Sequence, residues 1–243
     1  MHLPSGGEAS VAVVLPCLDE EEAIAGLVSE ILAQQVDCVI VVDNGSTDHT
    51  AERAQEAGAQ VVSEPRRGYG RACAAGLAAV PPDIAIVCYM DGDGSDVPAF
   101  VSAVVYPIAE DNADFVMGSR LRGKREAGSM TAQQIAAGWL AGLLLRLAYG
   151  VRFTDMSPFR AMRVDRMRGL NMTEPTYGWN LEMQMRVAAA GLRIVEVPVD
   201  HRRRRGGVSK VSGNLIAGLQ AGFKIASTFV RLLGAQRRAA PRS

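Results

Sequence analysis

Tyr89-Met90-Asp91-Gly92-Asp93-Gly94-Ser95-Asp96-Val97-Pro98 follows the apolar run Ile84-Ala85-Ile86-Val87-Cys88. The length of that run, its β-branched content and the Asp/Gly cluster that closes it predict a buried strand ending at a turn. The carboxylates then stand at the strand's C-terminal end, which in an open parallel α/β sheet is the edge where ligands bind. Asp91 and Asp93 are separated by one glycine, so a bend there aims two oxygen ligands into one small volume. Such a pair suits a hard divalent cation, Mg²⁺ or Mn²⁺, which takes carboxylate oxygens and keeps substrate phosphates as further ligands. A solvated Asp/Gly turn is the plainer reading, and the rest of the chain has to separate the two.

On the N-terminal side, a strand over Val11–Leu15 is stopped by Pro16 and followed by Asp19-Glu20-Glu21-Glu22. A helix then carries Ile24, Leu27, Val28, Ile31 and Leu32 at helical spacing, with Asp19 as its N-cap. A second strand, Cys38–Val42, runs into Asp43-Asn44-Gly45-Ser46-Thr47-Asp48. Asp48 or Thr47 suits the cap of the next helix; Asp43 comes too early for that, and its carboxylate faces the C-terminal edge. A third strand, Gln60–Ser63, leads to Gly68-Tyr69-Gly70-Arg71-Ala72, which opens a helix. This is not a dinucleotide fingerprint, because it misses the first strand-to-helix turn and its third glycine is misplaced. After Pro98 a helix precedes a fifth strand, Phe115–Met117, ending at Gly118-Ser119-Arg120; Leu121–Ser129 is basic, glycine-bearing and aperiodic, as in a mobile loop. Strands alternating with helices predict a parallel, doubly wound α/β sheet.

The chain has 243 residues, 48% hydrophobic and 21% charged, which suits a globular domain with a sizeable core and excludes a disordered class. Its zero net charge conceals a division: 4 Lys/Arg against 19 Asp/Glu up to Ser119, and 22 against 7 from Arg120 onward. Either opposite charges meet across the folded surface, or an acidic half holds a metal beside a basic half that holds phosphate. Cys17, Cys38, Cys73 and Cys88 lie in or beside apolar segments without C-x-x-C spacing, and read as buried thiols in a reducing compartment. The N-terminus lacks an export signal pattern. In the second half, Ala132–Tyr149 is nearly all apolar; its glutamines and an arginine favour a buried or interfacial helix over a membrane span. Tyr177–Gln184 enters a further helix that closes at Gly191, and a strand over Ile194–Val199 precedes His201-Arg202-Arg203-Arg204-Arg205. That arginine run suits a solvated loop, a nucleic-acid or anionic-membrane patch, or a clamp for a substrate phosphate. The last helix, Asn214–Leu233, is amphipathic, with Gln220, Lys224, Ser227 and Arg231 as its polar stripe.

The ordered set P-C-L-D-E-E-E, V-V-D-N-G-S-T-D, G-Y-G-x-A, M-D-G-D, G-S-R, D-M-S-P-F-R-A-M-R, G-W-N-L-E-M-Q and R-R-G-G-V-S-K-V-S-G resembles glycosyltransferase family 2 over residues 10 to 225. Its nearest look is to the bacterial branch related to dolichyl-phosphate mannosyl- and glucosyltransferases. The resemblance implies a GT-A fold, a nucleotide-sugar donor, Mg²⁺ or Mn²⁺ as cofactor, and inversion at the anomeric carbon. It implies that Pro16, Leu18 and Glu20 line the nucleoside pocket, that Asp43 reads the base beside Asn44, and that Asp91, Gly92 and Asp93 serve the ribose and metal, with Asp93 catalytic. Many relatives carry aspartate at the position of Asn44, and the polyprenyl-phosphate enzymes often have glycine where Pro158 stands. Arg120, Trp179 and Asp155 are implied on the acceptor side, and Arg203, Arg204 and Lys210 at the diphosphate. Glu182 is the candidate general base, or a positioning residue if the acceptor is an already ionised phosphate.

The implied division is a disordered N-terminus over 1–9, a transferase domain over 10–211, an amphipathic helix over 212–234 and a disordered basic tail over 235–243. The expected partners are a UDP- or GDP-sugar, UDP-glucose first, and a lipid-phosphate or small hydroxyl acceptor, without nucleic acid. The expected location is cytoplasmic, with peripheral contact at the membrane's cytoplasmic face or a homodimer. A sugar-1-phosphate nucleotidyltransferase is the first competitor, yet it wants a glycine-rich, cationic first turn where this chain has four acids. A non-catalytic basic protein binding membranes or nucleic acid is the second.

Overall fold

A computed structural model of the chain describes residue 1 and residues 9–206, 223 and 225–234. Lys210, the first part of the expected C-terminal helix and the tail over 235–243 lie outside the described residues, as do 2–8 of the expected N-terminal segment. The described strands are β1 (Val11–Cys17), β2 (Cys38–Asp43), β3 (Gln60–Ser63), β4 (Ile86–Tyr89), β5 (Phe115–Ser119), β6 (Arg160–Arg163) and β7 (Ile194–Pro198), in one sheet ordered β3-β2-β1-β4-β6-β5-β7. All neighbours pair parallel except β6, which runs antiparallel to both β4 and β5. This is the doubly wound, mostly parallel sheet expected from the sequence, with one reversed strand that the sequence did not reveal.

The inner strands are buried on both faces, as in parallel sheets, whereas the edge strands β3 and β7 are half-buried with exposed ends. Along β1, Val11, Val13 and Leu15 enter one core while Ala12 and Val14 enter the other, following the two-residue period of a strand. The first core takes Ile24, Leu27, Val28 and Ile31 from α1 (Ile24–Leu32), and α2 (Thr50–Glu56) adds Ala54. Val101, Val104, Val105 and Ile108 of α4 (Val101–Ala109) complete it. The second core takes α3 (Tyr69–Ala79), α5 (Ala132–Tyr149), α6 (Val164–Gly169) and α7 (Trp179–Ala189), together with helical residues at 225–234. Among the described residues no helix is long and apolar enough to cross a membrane.

Three local expectations are corrected. Pro16 does not stop β1, which continues to Cys17 with Pro16 opposite Val42. The pairing of β1 with β4 ends at Val14, so Pro16 falls where that side of the strand needs no N–H donor. Asp19 does not cap α1, whose N-cap is Ala23. With φ at 53°, Asp19 turns its carboxylate to the Thr47 N–H at 2.8 Å and ties the β1–α1 turn to the β2–α2 turn. The α2 N-cap is His49, with Asp48 one residue earlier accepting from the Thr50 N–H at 3.0 Å.

Candidate active site

The C-terminal ends of β1, β2, β4 and β5 lie on one edge of the sheet, which brings residues 18–20, 43–44, 91–93 and 119–120 together. At its centre, Gly92 lies so close to β1 that an added Cβ would stand 2.2 Å from Cys17 Sγ, so only glycine lets the D-G-D turn sit there. Asp91 Oδ1 accepts from the Tyr69 hydroxyl at 3.1 Å, and the Asp91 N–H donates to Asp96 Oδ2 at 3.2 Å. Asp93 Oδ1 accepts the Ser95 N–H at 2.9 Å. Burial, then repulsion from Asp93 and Asp96, pushes the Asp91 carboxyl up to about 8, against the pull of Arg120 and the Tyr69 hydroxyl. This crowding of carboxylates is the electrostatic condition a bound cation relieves. No group of three or more His, Cys, Asp or Glu among the described residues is arranged to hold a metal unaided. Asp91 and Asp93 therefore fit a Mg²⁺- or Mn²⁺-type ion whose remaining ligands come from phosphate and water.

Around this turn the expected donor residues take distinct places. Pro16 and Leu18 are half-buried at the end of β1. Asp43 Oδ1 accepts the Ser46 N–H at 3.0 Å. Asn44 donates to the Glu64 and Arg66 carbonyls at 2.7 and 3.0 Å and accepts the Gly68 N–H at 2.7 Å. The Asn44 amide thus braces the β3–α3 loop from within the edge. The Glu20 carboxylate meets Arg204 Nη2 at 2.8 and 3.0 Å. Arg203 points elsewhere, its N–H to Glu126 Oε2 and its Nε to the Ala127 carbonyl. Arg202 and Arg205, read in the sequence only as part of the arginine run, have contacts of their own. Arg202 holds the Gly94 carbonyl at 2.6 Å and Glu30 at 2.8 Å, while the Arg205 N–H donates to the Asp93 carbonyl at 3.0 Å and its guanidinium pairs with Glu30. The arginine run therefore lies across the D-G-D turn. His201, buried beside the buried Asp96 with 3.7 Å between Nδ1 and Oδ1, anchors the start of that run.

Beside Asp91 opens a cavity of about 260 Å³. Arg120 lines it, held by Asp155 through Nε and Nη2 at 2.8 Å each. Burial works against the Asp155 charge, but the Arg120 guanidinium holds the carboxyl below the usual carboxylate range. The walls are mainly apolar, with Ala137, Met156, Pro158, Leu181 and Ile225. Tyr177 lines the same cavity and stacks on Tyr69 with ring centroids 6.1 Å apart. The sequence signal for this pair was the aromatic residue in G-Y-G-x-A and the one immediately before G-W-N. Two acceptor-side expectations are not met. Trp179 is 3% exposed in the second core, because α7 begins there and turns the indole inward. Glu182 is fully buried away from the cavity lining, its carboxylate accepting from the Thr173 N–H and hydroxyl, the Glu174 N–H and Arg186 Nε. A carboxylate so saturated braces the turn before α7 and is not free to take a substrate proton.

Residues 12–169 match the family model Glycosyl transferase family 2. An uncharacterised glycosyltransferase of Mycobacterium bovis is 39% identical over 213 residues, covering 85% of this chain and 91% of its own length. The undecaprenyl-phosphate mannosyltransferase of Micrococcus luteus is 30% identical over 190 residues, covering 73% and 77%. Among solved structures, glucosyl-3-phosphoglycerate synthase from Mycobacterium tuberculosis in complex with phosphoglyceric acid superposes with a TM-score of 0.71 at 27% identity, over 93% of this chain and 80% of that one. A second structure of that enzyme holds Mn²⁺, UDP-glucose and phosphoglyceric acid, at a TM-score of 0.70, 26% identity and the same coverage. The sheet is thus of the GT-A type, and with a family match across well over half its length the chain belongs to glycosyl transferase family 2, a family of enzymes.

Proposed function

We propose that the protein transfers a hexose from a UDP-sugar, UDP-glucose first, to a lipid phosphate, with inversion at the anomeric carbon and dependence on Mn²⁺ or Mg²⁺. The donor and metal are supported by the solved neighbour that holds Mn²⁺ with UDP-glucose and by the carboxylate crowding at Asp91 and Asp93. One observation carries the acceptor: Asp91 is the sole carboxylate among the described residues lining the apolar cavity, and it is a metal candidate. A hydroxyl acceptor needs a base there, whereas an ionised phosphate needs none. The relatives named undecaprenyl-phosphate mannosyltransferase and dolichyl-phosphate hexose transferase support the same class.

The roles proposed for the residues rest on the family resemblance together with the placements above. Pro16, Leu18 and Glu20 border the nucleoside and Asp43 meets the base. Asp91 and Asp93 would hold the ion, which when bound would offset charge on the leaving diphosphate. Arg204, now on Glu20, turns to the diphosphate when the donor arrives. Arg120, locked by Asp155, positions the acceptor phosphate. An acceptor oxygen attacks the anomeric carbon from the side opposite UDP, the bond to the diphosphate oxygen breaks, and its electron pair leaves with UDP. Glu182 and Asn44 act as braces.

The test is calorimetric titration with UDP and GDP, with Mn²⁺ and then with EDTA, followed by transfer of labelled glucose from UDP-glucose to a short-chain polyprenyl phosphate and to phosphoglyceric acid. Metal-dependent UDP binding lost in Asp93→Ala, with label on the polyprenyl phosphate, is the expected result. Nucleotide binding indifferent to EDTA overturns the metal assignment, and label on phosphoglyceric acid alone overturns the acceptor.

A further inference from the structure

The outer face of α5 is apolar. Trp139, Leu143 and Leu147 recur every four residues and so share one side of the helix. They are 66%, 37% and 76% exposed. Single exposed hydrophobic side chains are ordinary, but an aligned row on one helix is not. Half-buried Leu140 and Leu144 follow Ala137 at i+3 and i+7, and Ala137 is part of the cavity wall, so the row and the cavity are joined by apolar surface along the helix. Phe223, 77% exposed, stands two residues before Ile225, which also lines the cavity.

Charge supplies the second observation. Exposed Arg146 shares the apolar side, three residues after Leu143 and seven after Trp139, and exposed Arg152 follows the helix. No Asp or Glu occurs from 127 to 154. An apolar, acid-free helix face with cations on it complements an anionic bilayer, where tryptophan prefers the headgroup region. Two copies meeting through this face would instead bring like charges together.

We infer that the outer face of α5 docks the enzyme on the surface of an anionic lipid bilayer, with the cavity mouth at headgroup depth, so that the acceptor enters sideways along Leu144 and Leu140 to Ala137. The entry route rests on the lipid-phosphate reading above; the docking is tested without it. The full chain is floated with phosphatidylcholine vesicles containing or lacking phosphatidylglycerol, and Trp139 is followed by quenching with brominated lipids. Binding to anionic vesicles with quenching that Trp139→Phe removes is expected, Trp179 being buried in the core. The double variant Leu143→Glu, Leu147→Glu is expected to cut vesicle partitioning at least about tenfold, while metal-dependent UDP binding, which reports an intact fold, stays unchanged. Absence of vesicle binding overturns the docking, as does a double variant that binds like the parent. A lipid-independent dimer that the double variant separates overturns it too and assigns the face to a second copy. Vesicle binding lost in the double variant, with no transfer to lipid phosphate by the parent, supports the docking and overturns the acceptor reading alone.

Discussion

Asp91 is a carboxylate that the fold holds in an environment costly to its charge. Burial and its acidic neighbours raise its carboxyl to about 8, whereas an aspartate in an unfolded chain titrates near ~3.9. The folded state therefore binds this proton more tightly than the unfolded state. The associated stability is fully present below the unfolded value and is lost as pH rises through about 8. Asp91→Asn keeps the shape and removes the charge. It is expected to stabilise the metal-free protein near pH 8 by on the order of 1 kcal/mol or more, with little gain near pH 4, and to abolish metal-dependent UDP binding. Melting curves at the two pH values check this, and a variant no more stable than the parent at pH 8 would refute the crowding account.

At the scale of elements, the burial of Trp179 and Glu182 within α7, whose Leu181 still lines the cavity, is the main departure from the sequence reading. Trp179-Asn180-Leu181-Glu182-Met183-Gln184 alternates apolar and polar residues, and the Glu182 and Gln184 side chains are nonetheless buried. Apart from Arg186 one turn along the helix, their partners lie outside α7, the 173–174 turn for Glu182 and the Asp155 carbonyl for Gln184, so the helical pattern by itself does not distinguish a buried brace from a catalytic acid. The strand β6 was hidden for a related reason. Its four residues, Arg-Ala-Met-Arg, begin with a fully buried arginine whose guanidinium reaches the Asn180 and Ser157 carbonyls and lies 5.9 Å from the Phe115 ring centre. By contrast β1, β2 and β4 were legible because strands covered on both faces read as unbroken apolar runs. The D-G-D turn was legible because its place at a strand end follows from the run before it. Glu182→Gln is expected to destabilise the fold by ~2 kcal/mol, as one of a set of buried charge-assisted hydrogen bonds is lost, and to change the transfer rate less than about tenfold below the melting range. Urea denaturation paired with rate measurement decides this; a large rate loss at unchanged stability would return Glu182 to the chemistry.

At the scale of the whole molecule, the acidic and basic halves meet over the active site, through Arg204 on Glu20 and through Arg202 and Arg205 on Glu30. The expectation that opposite charges meet across the folded surface is met by these ion pairs, and a diphosphate competing for the same cations is part of the function proposed above. The two kinds of arginine differ in what donor binding asks of them. Arg202 also holds the Gly94 carbonyl, so it fastens the run to the D-G-D turn. Arg204 reaches across to Glu20 after β1, and exchanging that carboxylate for a diphosphate, as proposed, keeps its charge paired. Arg204→Ala is therefore expected to weaken UDP binding by about ten- to a hundredfold, the range of one lost charge-assisted hydrogen bond, and to leave the weaker binding of uridine, which has no phosphate, unchanged. Arg202→Ala is expected to lower stability and to weaken both ligands alike, because it loosens the turn they share. Calorimetry of both variants with both ligands separates the cases. Equal losses for UDP and uridine in Arg204→Ala would make the whole run a structural strap, and the diphosphate would then have to find its cations elsewhere.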